Sequence, residues 1–201
     1  IRHVTALDIS YAAELGYRIK LVAIAQRGEG GIEQRVHPCM VPLHTPIAHV
    51  DGVFNAVVAE GDFVDQTVYE GRGAGAGPTA SAVAADLVDI ARGLNLAPFA
   101  VAASDLQEVP TLPMDDHEGP VYVRPMVVDQ PGVMADVTAI LRDENVSIES
   151  MLQRGRSPGE VVSVILILHD AREGAMKRVL KSFEDLEPVV EPPRMIRIEL
   201  L

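Results

Sequence analysis

The sequence predicts an α+β chain in which a mixed-sheet region is followed by a ferredoxin-like β-α-β-β-α-β unit. Three observations predict it. Apolar runs of strand character at 18–25, 32–41, 53–58 and 66–70 lie between helical patterns at the start and near residue 80. A proline-rich acidic stretch, SDLQEVPTLPMDDHEGP at 104–120, then interrupts all periodicity. Beyond it, strand and helix patterns alternate in the order β-α-β-β-α-β over about eighty residues.

The elements follow in order. Ile1, Val4, Leu7, Tyr11 and Leu15 recur at three- to four-residue steps, so the chain opens inside an amphipathic helix. An opening in mid-helix and without Met is expected of a piece of a longer protein. Gly16 ends this helix by accepting a left-handed backbone. The strand RIKLVAIA at 18–25 is apolar enough to be largely buried, and the Gly28-Glu29-Gly30-Gly31 turn leads into the next strand. Residues 71–77, GRGAGAG, form a loop, and Pro78-Thr79 launch a helix to Ala91 with Val83, Leu87 and Ile90 on one face. The acidic stretch makes 104–119 a linker between a region at 1–103 and a domain at 120–201. In that domain strands are expected at 121–128, 146–154, 161–168 and 194–200, with helices at 133–143 and 172–185. Asp170 is the expected cap of the last helix, and residues 155–159 form the hairpin connection.

Composition narrows the function. Of 201 residues 48% are hydrophobic and 23% charged, an ordinary globular balance. The net charge of −12, with seventeen scattered Lys and Arg, disfavours a phosphate-backbone partner. No apolar run approaches the ~20 residues that span a bilayer, and the single cysteine, Cys39, fits a reducing cytoplasm. His37, Cys39, His44 and His49 do not follow a structural-zinc spacing, and prolines interrupt them, so no metal is expected. Ser81 and Ser163 lack a readable His–Asp arrangement, which leaves nucleophilic catalysis without support.

Two stretches carry chemistry. In VVDQPGVMADVTAILRDENVSIESMLQRG an apolar strand enters a D-x-P-G turn and then a helix. Gly132 lets the backbone approach a ligand, and the amides of the following helix start favour a carboxylate. Asp129 suits an ammonium group, and Asn145 both donates and accepts; alternatively Asp129 caps the helix or turn and Asn145 ends the helix. In GRGAGAGPTASAVAADL, Gly71-x-Gly73-x-x-Ala76 nominally fits a dinucleotide fingerprint, but no complete βαβ unit follows. A tight-packing loop is the alternative there.

The first of these stretches resembles an ACT domain, the small module that binds amino acids, over residues 121–200. The resemblance places an effector site at Asp129, Gly132, Val133, Asn145 and Ile148, with threonine the foremost effector. The region before it resembles the homoserine dehydrogenase catalytic and dimerisation domain, in ALDISYAAELGYRIKLVAIA (6–25), RVHPCMVP (35–42), GVFNAV (52–57) and GRGAGAGPTASAVAADL (71–87). That family interconverts homoserine and aspartate semialdehyde with NAD or NADP, in threonine and methionine biosynthesis. The resemblance assigns Gly73, Ala74 and Gly75 to the cofactor, Gly75 foremost. It also implies a cytoplasmic homodimer under feedback control. The family's dinucleotide-binding domain and its catalytic lysine, in a D-G-x-D-x-x-x-K type segment, have no counterpart here. The chain therefore carries no catalytic residue, is expected to be inactive alone, and Lys20 is a sheet residue. Two other readings stand beside it: a stand-alone amino-acid-binding module, and an interaction protein that assembles through its sheets.

Overall fold

The computed structural model describes residues 4–94, 99–154 and 158–201. In chain order its elements are α1 (Ala6–Glu14), β1 (Tyr17–Gly28), β2 (Gly31–Pro42), β3 (Phe54–Gly61), β4 (Asp65–Arg72), α2 (Ala76–Ala91), β5 (Glu118–Val128), α3 (Val133–Asp143), β6 (Ile148–Gln153), β7 (Val161–Arg172), α4 (Glu173–Glu184) and β8 (Val189–Ile198). Short 3₁₀ turns connect some of them. The chain forms two compact units, one of Ile1–Pro42 with Pro110–Leu201 and one of Leu43–Val109.

The first unit is built on a six-stranded sheet of order β1-β2-β8-β5-β7-β6. Its last four strands are the expected ferredoxin-like sheet, each antiparallel to its neighbours. The β1–β2 hairpin joins by a short parallel pairing, Cys39 with Arg197 and Met40 with Ile198, and this makes the sheet mixed. The grouping is spatial rather than sequential, since residues 1–42 share a sheet with residues 118–198.

Side chains alternate across a strand, and both faces of this sheet are used. Val121, Val123, Leu166 and Leu168 face α3 and α4, where Val137, Leu141, Met176, Val179 and Phe183 complete a core. The intervening Tyr122, Ile165 and Ile167 pack on the other face with Ile196, Ile198, Tyr11 and Ala12 of α1, and Met40. A helix from the first forty residues thus covers the sheet face that α3 and α4 leave bare. Each such aliphatic side chain contributes about 1.5–3 kcal/mol on burial.

Some boundaries differ from expectation. β7 runs on through Asp170 to Arg172, because Gly119 and Glu118 of β5 continue to pair with it, so Asp170 lies in a strand and Arg172 occupies the N-cap of α4. α2 starts at Ala76, ahead of Pro78, which sits in the first turn where a missing N–H costs nothing. The stretch read as a linker is docked from Pro110 onward. Ile32 N–H donates to Pro110 O (2.8 Å), Leu112 N–H to Ile32 O (2.9 Å), and Glu173 N–H to His117 O (2.8 Å). Ile1 of the opening helical pattern and residues 155–157 of the hairpin connection lie outside the described residues.

The second unit holds the β3–β4 hairpin and α2. α2 closes in a Schellman arrangement, with Gly93 left-handed at φ +74° and its N–H donating to Ile90 O, while Leu94 N–H donates to Asp89 O. No described side chain of α2 is buried; the apolar face of Val83, Leu87 and Ile90 is exposed. Among the described residues no helix is long and apolar enough to cross a membrane.

Candidate functional site

The D-x-P-G turn lies where β5 becomes α3. Asp129 is held by its backbone, its N–H donating to Glu160 O (2.8 Å) and its carbonyl accepting from Gly159 N–H (2.9 Å). It therefore continues the β5–β7 pairing one step beyond Val128, and its side chain is half-buried. Gly132, not Asp129, is the N-cap residue of α3, with φ +99°, a backbone that favours glycine. It offers no side-chain oxygen to the helix, so the first-turn amides, Val133 among them, face the turn without an intrahelical acceptor. Amides left in this way are chemically suited to an anionic partner such as a carboxylate. The Val133 side chain itself is buried in the core.

Asn145 and Ile148 lie elsewhere. Asn145 is left-handed at φ +56°; its N–H donates to Arg142 O (3.0 Å), and Val146 N–H donates to Leu141 O (2.8 Å). Those two bonds are a Schellman cap closing α3, with the buried Val146 against Leu141 as its apolar contact. Asn145 thus ends the helix, and its exposed side chain is free of that duty. Ile148 opens β6 and pairs with Leu168, which in turn pairs with Val121 at the beginning of β5. The helix between the two groups has 11 residues, a rise of about 16 Å. Within one chain, Asp129, Gly132 and Val133 share one end of α3 and Asn145 and Ile148 share the other.

The glycine turn belongs to the second unit. Gly73 donates its N–H to Val53 O (3.2 Å), and any Cβ placed on it would collide with the Asn55 side chain. Gly75 has φ +125° and ψ 151°, a region open only to glycine, and is the N-cap of α2. Ala74 lies between them, exposed. The two glycines are required for different reasons, close packing at 73 and backbone conformation at 75. The result is a bare backbone turn entering an exposed helix start.

Two buried charge clusters escaped the sequence reading. In the first, the Asp8 carboxylate accepts from Arg124 Nε (2.7 Å) and Nη2 (3.3 Å), from Tyr122 Oη (3.1 Å), and from Thr5 Oγ1 (2.6 Å) and N (2.9 Å). The Thr5 contacts form a capping box on α1. Burial pushes the Asp8 carboxyl up, but these donors outweigh it and hold it below the usual carboxylate range. In the second, Glu199 accepts from Arg35 Nε (3.0 Å) and Nη2 (2.8 Å) and from His37 Nε2 (2.9 Å). Arg35 also pairs with Glu33, to which His117 Nδ1 comes within 2.6 Å. Burial again opposes ionisation, yet the His37 and Arg35 donors bring Glu199 to about 2. The signal available in sequence was a lone charge inside an apolar run, such as Arg124 in VYVRPMVV, since buried charges persist only when paired.

Several of the other discounted positions have structural occupations. His49 Nε2 is 2.7 Å from Leu43 O, and Ser163 Oγ is 2.9 Å from Tyr11 Oη. Cys39 is wholly buried in β2, and burial pushes its thiol up to about 12. Lys20 lies in β1 opposite Cys39. Among the described residues no group of three or more His, Cys, Asp and Glu is placed to hold a metal ion.

Two family models match the chain, homoserine dehydrogenase over residues 1–88 and ACT domain over residues 121–187. The chain is 41% identical over 200 residues to a homoserine dehydrogenase of Neisseria gonorrhoeae, which covers 96% of this chain and 46% of the relative. It is 40% identical over 208 residues to that of Pseudomonas aeruginosa, covering 100% of this chain and 48% of the relative. Among solved structures, a homoserine dehydrogenase from Thiobacillus denitrificans superposes with a TM-score of 0.88 at 43% identity, covering all of this chain and 46% of that one. One from Staphylococcus aureus, at 22% identity and a TM-score of 0.66, shares the fold. The chain spans about half the length of the relatives it matches. Along its whole length the chain is therefore similar to homoserine dehydrogenases, with that family's model matching residues 1–88 and the ACT model residues 121–187.

Proposed function

We propose that this chain is the C-terminal portion of an NAD(P)-dependent homoserine dehydrogenase, with its ACT domain serving as a sensor of pathway end-product, threonine foremost. The observation that carries this reading is unbroken similarity to named homoserine dehydrogenases over 96–100% of the chain. The parent enzyme would interconvert homoserine and aspartate semialdehyde. The nicotinamide cofactor would give or take the hydride according to direction, and the dinucleotide-binding domain and the catalytic residues would lie in the rest of the enzyme. The part of this chain would be the glycine turn, where Asn55 packs against Gly73, Gly75 supplies a backbone conformation open to glycine, and the exposed backbone at Ala74 would meet the cofactor. The exposed Val83–Leu87–Ile90 face of α2 would then be covered by the part of the enzyme that precedes this chain.

A homodimer fits both the sheet and the sensor. β1 is a terminal strand of the six-stranded sheet, so a second copy could extend it. The effector residues divide between the two ends of α3, so a copy packed antiparallel along that helix would bring Asp129 and Gly132 of one chain to Asn145 and Ile148 of the other. Asp129 would take the ammonium group of the amino acid, and the α3 amides its carboxylate.

Calorimetric titration with L-threonine, against L-homoserine, L-lysine and L-serine, tests the sensor. Selective heat with threonine, lost in Asp129→Ala, is the expected result; a folded chain that gives no heat with any of the four overturns it. The dehydrogenase reading is tested on the full-length polypeptide by NAD(P)H consumption with aspartate semialdehyde. Inactivity of the folded protein with either cofactor overturns that reading.

A further inference from the structure

Helix α1 is bonded to two strands of the ACT sheet and to the residue that follows a third, each time on the side that lies toward the Asp129–Gly132 turn. Asp8 holds Arg124 of β5, five positions before Asp129. Tyr11 Oη is 2.9 Å from Ser163 Oγ, in the third residue of β7. Arg154, just past the end of β6, lies over the Tyr11 ring at 5.1 Å and pairs with Glu14. The same turn is bonded to the two residues that precede β7, through Asp129 with Glu160 and Gly159.

The pairings around β5 decide how a displacement there would spread. β5 and β7 keep one unbroken register from Val121 opposite Leu168 to Val128 opposite Val161. Between β5 and β8 the register shifts twice, on either side of Met126. The β5–β7 pair is therefore continuous from the turn to Arg124 and Ser163, while the irregular β8 seam can take up slack. Arg124 and Asp8 are almost wholly buried, 2% and 0% exposed. Water cannot replace either partner there, so the pair keeps its geometry or leaves a buried charge bare.

We propose that the Asp8–Arg124 and Tyr11–Ser163 contacts couple the β5–α3 turn to α1, so that an amino acid seated at the turn changes the position and stability of that helix. The proposal rests on the effector reading above, because it needs a ligand at the turn. Such a ligand biases one arrangement of β5 and β7 over another, and α1 follows the arrangement to which it is bonded. The turn thereby communicates with the first helix of the dehydrogenase match and not only with the stretch from Pro110 to His117, which is bonded to β2 and α4.

The test is backbone amide exchange on the full chain, with and without saturating L-threonine, in wild type and in Arg124→Met and Tyr11→Phe. Threonine binding is measured in parallel by calorimetry. In wild type, threonine should slow exchange in α1 by roughly threefold or more. In the variants threonine should still bind, while most of that ligand-dependent difference disappears; a merely structural role would raise α1 exchange equally with and without ligand. Tyr11→Phe removes a single hydroxyl and serves if Arg124→Met fails to fold. Binding that leaves α1 unchanged, or a difference that survives in the variants, overturns the coupling while the sensor stands. Absence of binding to the folded wild type overturns both.

Discussion

Arg35 and Glu199 stand 164 positions apart yet form a two-armed buried ion pair at 3.0 and 2.8 Å. The pair sits where the β2–β8 pairing is only two residues long, and Glu199 N–H adds a bond to Met40 O at 2.9 Å. Residues of the dehydrogenase match are thereby fastened to the strand that completes the ACT sheet. A buried pair of this kind is a weak source of net stability while intact, but removing one partner leaves an uncompensated charge. Arg35→Met should therefore cost about 3–5 kcal/mol by denaturant unfolding. The double variant Arg35→Met/Glu199→Gln should recover much of that loss, and a double variant as unstable as the sum of the singles would show the two residues to be independent.

The same pair sets an acid limit. Burial works against the Glu199 charge, but the His37 and Arg35 donors win and bring its carboxyl from 4.5 to about 2. Because the folded value is the lower one, the unfolded chain takes up this proton first. The contribution, about 3 kcal/mol, is present in full above pH 4.5 and drains away as pH falls toward 2. Urea midpoints measured across that window should fall steeply for the wild type and more gently for Glu199→Gln. Parallel slopes would assign the acid loss to other carboxylates.

Cys39 gives a simpler expectation. It is wholly buried, and burial raises its thiol to about 12, so neither access nor thiolate is provided. In the folded chain it should resist a disulfide exchange reagent at neutral pH, and react promptly once denaturant unfolds β2. Rapid labelling under native conditions would mean that the β1–β2 hairpin opens locally.

The elements of the ACT region were readable because their periodicity is local. Val133, Val137 and Leu141 fall on one helical face, and all three are in the core. Asp170 misled because a short polar residue before a helical pattern looks like a cap, whereas its strand continues by pairing with β5, a partner fifty residues away that leaves no mark nearby. The docking of α1 onto the ACT sheet was unreadable for the same reason: Asp8 and Arg124 are 116 positions apart. The division of the effector residues differs in kind, since the helix expected at 133–143 lies between Asp129 and Asn145 and holds them at opposite ends.

The glycine turn makes a paired prediction. Gly75 adopts φ +125°, and a side chain there costs about 1–3 kcal/mol in backbone strain. Gly77 lies two residues on, inside α2 and with open space around it, so alanine there removes unfolded-chain freedom without a clash. Gly77→Ala should therefore stabilise by about 0.4–1 kcal/mol. Thermal unfolding of the two variants should move in opposite directions. In the full-length enzyme Gly75→Ala should also weaken NAD(P)H binding, and unchanged cofactor affinity would remove Gly75 from the cofactor site.

Asn145 separates a structural role from a binding role more cleanly than any other predicted site residue. Its left-handed backbone at φ +56° closes α3, a duty that glycine performs at least as well, while its exposed side chain takes no part in the two capping bonds. Asn145→Gly should leave stability within about 0.5 kcal/mol of wild type. Asn145→Val, with a branched side chain forced left-handed, should lose about 1–2 kcal/mol. If the amide contacts the effector, both variants lose the threonine heat although only one loses stability. If Asn145 acts only as a cap, Asn145→Gly binds threonine as the wild type does. Denaturation and calorimetry on the same three proteins therefore distinguish a ligand-binding asparagine from a helix-ending one.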